Sequence, residues 1–162
     1  MGLTIAFWIM AVVIIAAALA VVFQRNVFRA ALMLILCFIA VAGIYITLSA
    51  DFLAAVQILV YVGAISVLVI LAIMMTREVQ KGNPANKMQI PVAIVAAVLL
   101  GILVYAVTCT PWRLSSSAPL SPTTAPLATR LFSENGFILP VEIGALLLLA
   151  AILGAIVITR EK

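Results

Sequence analysis

Asp51–Met75 reads DFLAAVQILVYVGAISVLVILAIMM, a single aspartate followed by 24 residues without a charge. At about 1.5 Å per helical residue those 24 reach roughly 36 Å, more than the roughly 30 Å of a bilayer's hydrocarbon core. The segment therefore spans a membrane. It is not a plain anchor, because Gln57, Tyr61, Gly63 and Ser66 stand where Leu or Val would serve. Surplus length and mid-span polarity together ask for an explanation beyond anchoring.

Composition extends that reading to the whole chain. Its 162 residues are 67% hydrophobic and 9% charged, with a mean hydropathy of +1.39, whereas soluble domains are about one-quarter charged. These values specify an all-α integral membrane protein. The net charge of +4 comes from nine Lys and Arg spread over the connections between spans, which reads as a topology signal and not as a nucleic-acid patch. There is no histidine, and Cys37 and Cys109 each lie in an apolar run. That inventory cannot build a metal, haem or iron–sulfur site, so the two thiols are expected to act as small hydrophobes and the chain to carry no electron carrier.

Outward from the third span, the hydropathy predicts five transmembrane helices at about 3–22, 30–48, 52–75, 90–108 and 138–158, in one membrane domain without a repeat. Ala18 and Ala20 mimic a signal-peptide cleavage site, but no positive charge precedes the first run and it is too long for a signal core, so it is expected to be a retained span. Only Ser49, Ala50 and Asp51 join spans two and three, which forces an antiparallel hairpin. Ser49 or Asp51 is expected to cap the third helix, with Asp51 at the positive end of its dipole. Gly82-Asn83-Pro84 in the next connection is turn chemistry, and Pro91 suits the first turn of span four. The long outer loop 109–137, rich in Ser, Thr and Pro, is expected to be an irregular segment resting on a neighbour.

Charge sets the expected orientation. With the N-terminus outside, Arg25, Arg29, Arg77, Lys81, Lys87, Arg160 and Lys162 fall inside, against Arg113 and Arg130 outside. The C-terminus is then cytoplasmic, or in the matrix or stroma of an organelle.

Within the spans, small and polar residues mark contacts, because helices in lipid associate through close packing and hydrogen bonds. Gly144, Ala151 and Ala155 share one face of the last span, and Ala150 precedes Gly154 by four residues. They argue for close helix contact, against the plain alternative that Gly and Ala are common in spanning segments. Glu142 is the one acid inside a span, a candidate for proton relay or a helix-start carboxylate favoured by the dipole. In the third span, helical spacing puts Gln57 with Tyr61 on one face and Gly63 with Ser66 on another, which implies a helix enclosed by protein and not by lipid. Gly63 also lowers the cost of an irregular backbone, and a π-bulge would absorb surplus length. Equally, Gly63 could serve only to admit a neighbouring helix.

Phe52-Leu53, Val56-Gln57, Tyr61-Val62-Gly63-Ala64 and Met74-Met75 resemble the signature helix of subunit J of respiratory complex I, the counterpart of mitochondrial NADH dehydrogenase subunit six. Leu139-Pro140-Val141-Glu142, followed by Gly144-Ala145-Leu146-Leu147-Leu148-Leu149 and Gly154-Ala155, is similar to that family's last helix, where Phe is more usual than Val141. The resemblance implies a non-redox membrane-arm subunit of a proton-pumping quinone oxidoreductase, fed by NAD(P)H or ferredoxin. Its implied partners are the small subunit K, the subunit that carries the quinone site, and the antiporter-like subunits. Quinone, FMN and iron–sulfur clusters would then sit in other subunits, and no residue of this chain would be catalytic. It also implies a π-bulge near Tyr61, Val62 and Gly63 acting as a conformational hinge, with Gln57, Ser66, Gly144 and Gly154 in packing or along a water path. The expected location is a bacterial plasma membrane, or a thylakoid or organellar inner membrane. A small stand-alone transporter would be expected to show inverted repeats, broken helices or a central carboxylate pair, and none is present in the sequence. A membrane scaffold or assembly factor is a third class, separable by whether the chain stays with the mature enzyme.

Overall fold

The computed structural model describes residues 1–76, 89–112, 122–133 and 136–160. Among them there is no strand, as expected where every backbone polar group at bilayer depth must be satisfied within its own segment. Among the described residues five helices are long and apolar enough to cross a membrane: α1 (Gly2–Phe23), α2 (Val27–Thr47), α3 (Asp51–Met75), α4 (Gln89–Cys109) and α6 (Ile138–Thr159). A shorter helix, α5 (Thr124–Phe132), lies between the last two. Arg77, Glu78, Lys81, Lys87, Arg113 and Lys162, on which much of the orientation reading rests, lie outside the described residues.

The ends of these helices have local causes. Helix α2 begins three residues before the expected position 30 because Asn26 caps it, its side-chain oxygen accepting from the backbone N–H groups of Phe28 at 3.0 Å and Arg29 at 3.2 Å. Arg29 therefore belongs to the first turn of α2. The hairpin into α3 closes through Ser49 N–H to the Ile46 carbonyl at 3.0 Å and Ala50 N–H to the Tyr45 carbonyl at 2.9 Å. Ser49 turns the chain with a φ of 59°, in the left-handed region.

The expected cap of α3 is corrected. Ala50 occupies the N-cap position, no side chain of the hairpin caps the helix, and Asp51 is already in the first turn, where its charge still meets the positive end of the dipole. The Phe52 N–H donates instead to the Thr123 hydroxyl at 3.3 Å, a partner 71 residues away at the entry to α5. The long loop is likewise corrected, because it contains α5. Pro126 falls in the first turn, where its missing N–H costs little, and half-buried Leu127 and Leu131 are four apart on one face.

Helix α2 packs between α1 and α3. The buried residues among those described are Ala17, Ala31, Ala40, Ala42, Ala54, Gln57 and Ser66. All are small or polar, so these helices approach by bringing backbones close together. At Gly43 the approach is close, and a Cβ would stand 2.9 Å from the Met10 sulfur of α1. The spanning windows of α4 and α6 bury no residue, so the described residues leave their apolar surfaces largely uncovered.

Candidate functional site

The middle of α3 is not an α-helix. From Gln57 to Ile65 it is a π-helix, with regular α-helix on both sides. A π turn closes its hydrogen bonds one residue later than an α turn, so it holds roughly four and a half residues instead of 3.6. The same residues reach less far along the axis, which absorbs surplus length in a 25-residue span.

The change of period also decides which residues share a face. Gln57 and Ser66 are nine apart: at 3.6 residues per turn that is about two and a half turns, which would set them on opposite sides of the helix. Through the π-helix nine residues make roughly two turns, and the two return to one side. Both side chains are buried, with 7% and 3% exposure, while Leu59, Val60, Tyr61, Gly63 and Ala64 between them are exposed. The neighbour along this length is α2. The expectation of separate Gln57 and Ser66 faces is thus corrected: it applied the α period to residues that do not follow it.

Phe38 of α2 is the seat for this segment. The Gln57 side-chain amide donates to the Phe38 carbonyl at 3.4 Å, and the Tyr61 ring meets the Phe38 ring edge-on, centroids 5.5 Å apart at 70°. At the far end the Ser66 backbone N–H and the Ser66 hydroxyl both donate to the Tyr61 carbonyl, the hydroxyl at 2.7 Å. Phe38 was not singled out from sequence, since an apolar aromatic in an apolar helix has no pattern to distinguish it. Thr123 was hidden in the same way within a Ser- and Thr-rich run.

The remaining expected site residues stand apart from this cluster. Val62 and Gly63 lie inside the π-helix; among the described residues a Cβ on Gly63 would meet only the Ile58 carbonyl, at an ordinary 3.5 Å, so no described helix needs a glycine there. Glu142 is exposed in the second turn of α6, with no bonded partner among the described residues. Among the described residues, Gly144 and Gly154 have nothing within 4 Å of where a Cβ would lie. What the arrangement offers chemically is a two-period helix seated on one aromatic, carrying the Tyr61 phenol and the Ser66 hydroxyl and, from Gln57 to Ser66, no carboxylate, thiol or imidazole.

The family model described as NADH-ubiquinone/plastoquinone oxidoreductase chain 6 matches residues 17–158. The chain is 37% identical to NAD(P)H-quinone oxidoreductase chain 6 of Leptolyngbya boryana, over 98% of this chain and 80% of the relative. It is 38% identical to the chloroplastic NAD(P)H-quinone oxidoreductase subunit 6 of Nephroselmis olivacea, over 92% of this chain and 88% of the relative. With F(420)H(2) dehydrogenase subunit J of Methanosarcina mazei it shares 34% identity, over 98% and 92% respectively. Three relatives, named for two kinds of electron donor, align with nearly the whole of one helical chain, and that chain belongs to the NADH-ubiquinone/plastoquinone oxidoreductase chain 6 family, as a multi-pass membrane subunit of a complex I-type enzyme.

Proposed function

We propose that α3 is a two-position joint that couples quinone reduction, carried out in other subunits, to proton translocation through the membrane arm. The observation that carries this reading is the shared burial of Gln57 and Ser66, which holds only while the segment between them is π-helical. Relaxing that segment to α-helix swings Ser66 and everything after it by up to half a turn relative to Gln57. The two forms differ by a few hydrogen bonds, so packing by neighbouring subunits needs to supply only a few kcal/mol to select one. In the α form the Ser66 hydroxyl leaves the α2 face, and a polar path beside α2 is broken.

Around this joint the chain acts as a membrane-arm subunit without redox groups, packed by subunit K, the quinone-site subunit and antiporter-like subunits. FMN, iron–sulfur clusters and quinone belong to those and other partners in an NADH-type complex. The N-terminus faces outside and the C-terminus the cytoplasm or its organellar equivalent, supported by the excess of Lys and Arg on that side. Gly144 and Gly154 receive neighbouring subunits, and Glu142 meets a polar partner there, since a lipid-facing carboxylate is costly.

The test is Gly63→Leu in the assembled enzyme. Leucine removes the backbone freedom that lets glycine adopt an irregular turn and favours regular α-helix, so it holds the joint in one form, and quinone reduction slows or loses its coupling to proton transfer while every redox centre stays loaded. Turnover and pumping equal to the parent enzyme would refute the joint.

A further inference from the structure

Ser66 places two donors on one acceptor. Its backbone N–H and its hydroxyl both reach the Tyr61 carbonyl, five residues back, with the hydroxyl oxygen at 2.7 Å and the side chain buried. A carbonyl oxygen has two lone pairs, so neither bond excludes the other. Threonines at or near the C-terminal ends of helices behave differently. Thr47 donates to Ile44 at 2.8 Å, Thr76 to Ala72 at 2.8 Å, Thr108 to Val104 at 2.8 Å and Thr159 to Ala155 at 2.9 Å, each three or four residues back.

The contrast assigns a preference to the Ser66 hydroxyl. A hydroxyl bonding three or four residues back inside an α-helix competes with the backbone and mildly weakens the helix. At Ser66 the bond reinforces the i to i−5 closure that defines the π turn. Conversion to α-helix transfers the Ser66 N–H to the Val62 carbonyl and turns the side chain off the α2 face. The Tyr61 bond is therefore made in the π form alone, and in the α form the hydroxyl has only the weakening arrangement.

We infer that Ser66 is a positioning residue, a latch whose hydroxyl sets the balance between the two forms of α3 in favour of π. This rests on the joint proposed above, and it adds which side chain sets the resting position. Gln57 and Tyr61 seat the segment on Phe38 from the other end, but their contacts go to α2, whereas the Ser66 bond is internal to the turn.

The experiment compares the whole enzyme carrying Ser66→Ala with the parent and with Ser66→Thr, which keeps a hydroxyl. Images of single complexes, resting and turning over, are sorted by whether α3 is π or α between residues 57 and 65. A lost neutral hydrogen bond lowers the π-to-α ratio roughly three- to tenfold in Ser66→Ala, and Ser66→Thr returns it toward the parent value. Because a fully π parent would mask a shift, amide exchange across residues 62–66 is measured on the same samples, with severalfold faster exchange expected in Ser66→Ala only. Equal ratios and equal exchange in Ser66→Ala and parent overturn the latch, whatever becomes of the joint. A ratio that moves while quinone reduction and proton transfer stay at parental rates keeps the latch and removes the joint.

Discussion

Helices α3 and α6 have nearly the same raw material. Each is a long apolar span, 25 and 22 residues, with glycine inside it, Gly63 in α3 and Gly144 and Gly154 in α6, and one acid near its start, Asp51 in α3 and Glu142 in α6. Yet α6 runs regularly from Ile138 to Thr159 and buries nothing in this chain, while α3 changes helix type for nine residues and buries Ala54, Gln57 and Ser66. Glycine does not account for the difference, since Gly63 and Gly154 are both free of close contact with other helices here. What α3 has and α6 lacks is a neighbour in the same chain with an acceptor and a ring at the right height, Phe38, and a hydroxyl placed to close a wider turn. A helix type that is unfavourable alone is held by a few specific polar contacts.

The largest expected effect comes from filling the seam. Ala54→Leu inserts three carbon atoms where α3 meets α2, and overpacking a close contact costs about 1–3 kcal/mol. Amide exchange across α2 and α3 in the assembled enzyme should rise clearly. Gly154→Leu adds a larger increment on α6, where it should disturb only the contact with the neighbouring subunit and leave exchange in α1, α2 and α3 at the parental level. Matching disturbance of those helices by both variants would mean that the two spans are not mechanically distinct.

A smaller effect is expected where the long connection touches α3. The Thr123 hydroxyl supplies the cap that Ala50 cannot, so Thr123→Val should release the first turn of α3 by about 0.5–1 kcal/mol, with Thr123→Ser restoring it. The readout is exchange at Phe52 relative to residues 66–75. In the parent, Phe52 should exchange more slowly than Leu53, and Thr123→Val should abolish that difference without speeding the second half of the helix. No difference between Phe52 and Leu53 in the parent would show that the cap is not maintained in the enzyme.

The five spans could be read from sequence because a bilayer imposes a length and an apolarity that few other structures share. Gly63 and the surplus length of α3 left an irregular turn and a close neighbour equally open, and it was the family resemblance that put a π-bulge at Tyr61, Val62 and Gly63, inside the nine-residue segment. The faces were not legible, because assigning Gln57 and Ser66 requires knowing how many residues follow the wider period, and nine of them exchange opposite sides for the same side. The cap of α3 was misread for a related reason: local rules favour Ser49 or Asp51, but the partner that satisfies Phe52 arrives from residue 123. Helix α5 was obscured by its Pro-, Ser- and Thr-rich surroundings, with only Leu127 and Leu131 to signal a face.

The most direct measurement is the angle about the α3 axis between the side-chain directions of Gln57 and Ser66, taken from structures of the assembled enzyme at rest and during turnover. The joint predicts two populations, one with both residues toward α2 and one with Ser66 swung away by up to half a turn. A single angle, unchanged between the resting and the working enzyme, would contradict it.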